Sequence, residues 1–87
     1  MKPLYQVAKE IKQHLTAEQI IISSRTESVL NILMWMKDAS SSYGLNYGEH
    51  YIAEFLDLTG HWNSSDAISF KNELEQISYS TRQGLRL

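Results

Sequence analysis

Residues 20–36 read IIISSRTESVLNILMWM, with apolar residues crowded at both ends and a polar run at 23–28 between them. Ser24, Arg25, Thr26 and Glu27 have the form of a capping box. In that motif the first hydroxyl accepts a backbone N–H three residues on, and the acid reaches back. An apolar-periodic run follows, so the spacing predicts a helix from Arg25 to Asp38. Val29, Ile32, Leu33 and Met36 form its inward stripe. Leu30 and Met34 fall on one flank of that stripe and Trp35 on the other. Between Val29 and Met36 only Asn31 is polar. A helix apolar nearly all round is either enclosed by the rest of the chain or carries an exposed apolar patch. Fold and function both turn on which of these holds.

Working outward, Leu4, Val7, Ala8, Ile11 and Leu15 repeat at helical spacing and predict an amphipathic helix over 4–15, with Pro3 suited to its first turn. Thr16 to Gln19 is another capping-box pattern, but Ile20, Ile21 and Ile22 are β-branched and weaken a helix there. Two readings stay open for 20–23, a short helix or an extended segment. If extended, its partner strand would come from Tyr43 to Tyr47, giving a winged variant. Asp38 to Gly44 has loop chemistry. A helix is expected from Tyr47, with Tyr51, Ile52, Phe55, Leu56 and Leu58 on one side, ended by Thr59 and Gly60. Ser64, Ser65 and Asp66 precede a last helix over 67–81, with Ala67, Phe70, Leu74 and Ile77 inward and Gly84 as its stop. The expected fold is all-α: four helices, or five, in a small bundle or helical array forming one domain over 1–87.

The chain has 87 residues, 43% hydrophobic and 21% charged, which is a globular balance. It has no cysteine, which excludes disulfides, thiol nucleophiles and Cys-based metal sites. The N-terminal stretch MKPLYQVAKEIKQHL lacks a signal-peptide apolar core, and the longest apolar run, Ile32 to Met36, is too short to span a membrane. A cytoplasmic protein with no membrane contact is expected. The formal net charge is −2, and the eight Lys and Arg are scattered. Stand-alone nucleic-acid binders usually carry a basic surplus.

The stretch from Thr16 to Lys37 resembles a helix-turn-helix, with TAEQIII as first helix and TESVLNILMWMK as second. The resemblance implies DNA reading by Arg25, Thr26, Ser28 and Asn31. The chain departs from the motif at the close crossing, where Gln19 or Ile20 replaces a small residue. It departs again at the turn, where Ser23 and Ser24 stand in place of Gly and an apolar residue. Glu27 would also face phosphate.

Tyr43, Tyr47, Tyr51, Phe55 and Trp62 crowd one third of the chain. Tyr51 and Phe55 have core spacing. Tyr43, Tyr47 and Trp62 lie in or beside loops and are surface candidates. Glu49, Glu54 and Asp57 form an acidic face that includes His50. His50 with Glu54, and Glu10 with His14, have ordinary i, i+4 helix-pair spacing, so no metal site and no cofactor are expected. The four glycines form no phosphate loop, and no serine stands in a nucleophile elbow. No enzyme activity is expected.

The leading expectation is a small non-enzymatic binding protein with the look of an inhibitor, immunity-type protein, adaptor or phage-type regulator. It would meet a protein partner through Met34, Trp35, Tyr43, Tyr47 and Trp62, rimmed by Glu49, Glu54 and Asp57. The alternative is the helix-turn-helix regulator. A third reading is a homodimer with the patch as its seam.

Overall fold

A computed structural model describes the backbone of residues 2–85 and the side chains of residues 2–80. Helix α1 spans Leu4–Ala17, α2 Ser24–Leu33, α3 Gly48–Leu58 and α4 Ser65–Leu85. Ser42–Tyr43 (β1) pairs antiparallel with Asn46–Tyr47 (β2), immediately before α3. The helices pack in a ring, α1 on α2, α2 on α3, α3 on α4, and α4 back on α1. The mostly helical expectation holds, with four helices among the described residues and a small two-stranded hairpin added to them.

The α1 stripe is buried as its spacing predicts: Leu4, Val7, Ala8, Ile11 and Leu15 all face the core. Phe55, Leu30, Leu33, Ile52 and Leu74 meet them there. Leu30, expected on a flank of the stripe, is fully buried, and Ile32 is only partly covered. α2 is therefore rotated slightly from the face that the spacing selected.

Residues 18–23 form neither a helix nor a strand. Gln19 adopts φ 55°, Ile20 N–H donates to the Leu15 carbonyl at 2.9 Å, and Gln19 N–H to Thr16 at 3.1 Å. That pair of bonds is a Schellman motif, which stops α1 in place of any continuation through TAEQIII. The expected pairing of 20–22 with 43–47 does not form, because 43–47 folds back on itself. Gly44, with φ 63°, takes the first turn position, and a positive φ there suits the two-residue hairpin turn.

The cap of α2 sits one residue earlier than expected. Ser23 is the N-cap, and its Oγ accepts from Thr26 N–H at 3.1 Å and lies 2.8 Å from the Thr26 hydroxyl. α2 also ends at Leu33, not Asp38. Trp35 and Met36 donate to Ile32 and Leu33 in a tightened last turn. The chain then leaves the helix axis because its carbonyls are used elsewhere. Met36 and Lys37 accept from Tyr5 and Leu4 N–H at 2.7 and 2.8 Å, capping α1. Ala39 and Ser41 accept from Glu49 and Gly48 N–H at 3.0 and 2.7 Å, capping α3. One short segment thus satisfies the exposed donors of two helix N-termini, which have no partner inside their own helices. The approach is close: a Cβ on Gly48 would lie 2.9 Å from the Asp38 carbonyl oxygen and 3.0 Å from the Ala39 Cα.

α4 begins as expected, with Ser64 Oγ accepting from Ala67 N–H at 3.2 Å. Its backbone remains helical to Leu85, through Gly84, so that glycine does not stop it. A helix-interior Gly weakens a helix by about 1 kcal/mol, which is not enough by itself to end one.

Candidate interaction surface

Trp35 lies in the tightened turn that follows α2. Leu33 and Met36 are buried on either side of it, while Trp35 is 89% exposed and Met34 partly covered. Met36 keeps the inward place that its spacing predicts, although α2 has ended before it. Trp35 is left facing out, beside Tyr5, Lys37, Asp38 and Ile77 in a groove of about 720 Å3 between the start of α1, the 34–38 turn and α4. Tyr5 lies off the α1 stripe, and that spacing is the sequence signal that marks it as exposed.

Tyr43 and Tyr47 are also exposed, at 57% and 63%. They occupy the hairpin, with Leu45 wholly exposed between them. Leu45 was absent from the expected surface. The cue for it in the sequence is an apolar residue set between Gly44 and Asn46, both turn formers. The Tyr51 hydroxyl donates to the Tyr43 carbonyl at 2.9 Å, and the two rings meet edge to face.

Trp62 does not belong to this surface. It is buried, contrary to its expected place among the surface candidates, because the turn after α3 folds it inward. It stacks on Phe70 at 6.2 Å, lies beside His14, and is covered by the Lys71 ammonium at 5.9 Å. Lys71 also donates to the Thr59 carbonyl at 2.5 Å, tying the end of α3 to α4. Among the described residues the Trp62 Nε1 has no hydrogen-bond partner, and packing holds this contact.

The acidic residues do not form one rim either. Glu54 turns toward α2 and takes a two-pronged bond from Arg25, at 2.6 and 2.7 Å. Those bonds hold its carboxyl below the usual carboxylate range and raise the guanidinium further. His50 lies 3.9 Å from the same carboxylate. Glu49 lines a shallow groove between α3 and α4, together with Ala53 and Glu75. Asp57 is exposed. Helical geometry explains the scatter, since positions 49 and 54 differ by roughly 140° around the axis.

The residues of the helix-turn-helix reading are mostly engaged within the chain. Arg25 holds Glu54, Thr26 is buried under the Ser23 cap, and Asn31 accepts from Lys12 Nζ at 3.2 Å. Ser28 is exposed. The first helix of that motif is absent, and six residues, 18–23, separate α1 from α2 in place of a three- or four-residue turn.

Among the described residues no group of three or more His, Asp or Glu side chains is placed to hold a metal ion. No described helix is long and apolar enough to cross a membrane. Comparison with family models, with curated proteins and with solved structures returns no match.

Proposed function

We propose that this chain is a non-enzymatic binding protein that engages a protein partner through its exposed apolar side chains Trp35, Tyr43 and Tyr47, with Met34 adjacent to Trp35 in the chain. The exposure of Trp35 carries this reading. Tryptophan is the residue type most often found at the energetic centre of protein interfaces, where its removal typically costs about 2 kcal/mol or more of affinity. Met34 next to it supplies an adaptable apolar contact. Arg25, Thr26 and Asn31 already have partners inside the chain, which favours a protein over a nucleic acid as the target. The spread of Glu49, Glu54 and Asp57 removes the acidic rim from the proposal and leaves an apolar-aromatic contact.

The test is affinity capture from the cell of origin, before and after nuclease treatment, with wild-type and Trp35→Ala baits. Retention that survives nuclease and high salt but is lost on Trp35→Ala is the expected result. Recovery of nucleic acid that is lost on Arg25→Ala sinks the proposal. Sedimentation of the purified chain distinguishes self-association, since a binder of other proteins remains a monomer at high concentration.

A further inference from the structure

Residues 40–47 read SSSYGLNY and carry no charged side chain. Ser, Tyr, Gly and Asn dominate the run. The same residue types are enriched in antibody combining loops, where Tyr supplies rigid amphipathic contact and Ser, Gly and Asn supply adaptable hydrogen bonding. Here the run forms the hairpin, with Leu45 at its tip wholly exposed. The register pairs Ser42 with Tyr47 and Tyr43 with Asn46. Paired residues share a face, so Tyr43 and Tyr47 stand on opposite faces behind the leucine.

The hairpin is also held firmly from below. Tyr51 braces Tyr43 through its hydroxyl at 2.9 Å, Gly48 N–H donates to Ser41 at 2.7 Å, and the Gly48 backbone abuts Asp38 and Ala39. A loop already fixed in shape loses little conformational freedom on binding. The groove at Trp35 differs in being lined by Lys2, Lys37 and Asp38.

We infer that the hairpin is the part of this surface that enters the partner, with Leu45 seated in an uncharged apolar cleft of a globular protein and a tyrosine at each lip. The inference rests on the proposed protein-binding function and names the partner's chemistry. A charged group in that cleft would lose its water and find no opposite charge on residues 40–47, which is costly. Attraction to phosphate or to anionic headgroups finds no lysine or arginine there either. The complex is therefore insensitive to salt.

The experiment uses the full chain as bait, in wild-type, Leu45→Asp, Lys37→Glu and Trp35→Ala forms. The protein retained by the wild-type bait is then purified and titrated against each form. Leu45 is wholly exposed, so Leu45→Asp should melt with the wild type, and Leu45→Ala is a second variant that introduces no charge. The expected result is a loss of about tenfold or more in affinity for both Leu45 variants, as for an interface hot spot. Lys37→Glu should change affinity by less than about threefold, as should a rise from about 50 to about 500 mM NaCl.

An affinity lost on Trp35→Ala but indifferent to both Leu45 variants overturns this inference and leaves the proposed function standing. Steep salt dependence overturns the uncharged cleft. A wild-type bait that retains no protein beyond those held by the Leu45→Asp bait overturns the inference outright. So does Leu45-dependent co-sedimentation with phosphatidylcholine–phosphatidylserine vesicles, or a wild-type dimer that Leu45→Asp converts to monomer.

Discussion

Two connections between helices, residues 18–23 and residues 34–47, handle their exposed apolar side chains in opposite ways. The first closes α1 with bonds to its own last turn and leaves Ile21 92% exposed on an unpaired backbone. Its far end is tied by the Ser23 cap and by Ile20 and Ile22, which pack partly against the core. The second hands four carbonyls to the N-termini of α1 and α3 and buries Met36 and Ala39. Its exposed residues, Trp35, Tyr43, Leu45 and Tyr47, are therefore displayed from a backbone fixed at both ends. Exposure alone does not separate Ile21 from Leu45. What separates them is the support beneath, and a rigid display is what binding rewards.

The largest expected effect breaks the second connection. Gly48→Ala places a Cβ 2.9 Å from the Asp38 carbonyl oxygen, where the contact is backbone against backbone. Overpacking of this kind costs about 1–3 kcal/mol, and the loss should appear in urea unfolding as a lower midpoint. If the hairpin depends on this contact, partner binding falls along with stability. An unchanged midpoint means that the close approach of Gly48 to segment 36–41 does not hold α3 in place.

Next comes the start of α2. Ser23→Ala removes the side chain that accepts Thr26 N–H and should cost about 1 kcal/mol. For a domain of this size that lowers the melting temperature by about 4–8 °C. Ser24→Ala should cost much less, and the reverse order would restore the capping box at Ser24.

The first connection can be sharpened rather than broken. Gln19 sits at φ 55°, a conformation in which glycine carries no Cβ penalty. Gln19→Gly should raise stability by about 0.5–1 kcal/mol, less the entropy that glycine adds to the unfolded chain. A destabilised variant removes the Schellman reading.

The smallest effect is the acid response. Glu54, Glu10 and Asp38 are all held below their ordinary pKa, by Arg25, by Lys2 and by Ser40 respectively. A depressed carboxyl stabilises the fold above its unfolded pKa and loses that contribution as pH falls through the folded one. Melting temperature should therefore hold near neutrality and decline below about pH 4.5, where unfolded carboxyls take up protons. Glu54→Gln should flatten that decline slightly and alter stability little at pH 7, since exposed ion pairs are weak. A melting temperature that rises on acidification contradicts the assignment.

Much of this architecture was legible in the sequence. The α1 stripe and the inward positions of Ile52, Phe55, Ala67, Leu74 and Ile77 follow from helical spacing, because burial of one face is what holds a short helix together. The start of α4 was marked by cap chemistry, whereas α3 begins behind Tyr47 without a side-chain cap and donates its first N–H groups to the Ser41 and Ala39 carbonyls. The end of α2 was not legible. Its apolar run continues through Met36, and nothing local shows that Met36 and Lys37 carbonyls are claimed by α1. The candidate surface was half legible for the same kind of reason. Trp35, Tyr43 and Tyr47 are exposed as the chain pattern allows, whereas Trp62 has a similar loop setting and is buried by His14, Phe70 and Lys71 from two other helices.

Local sequence therefore determined which residues form each helix face and where most helices start, since caps and periodicity act within a few residues. Tertiary structure decided where α2 stops, which tryptophan meets solvent, and which partners Arg25 and Glu54 take. Those outcomes depend on groups distant in the chain, whose approach is fixed only when the four helices close on a common core.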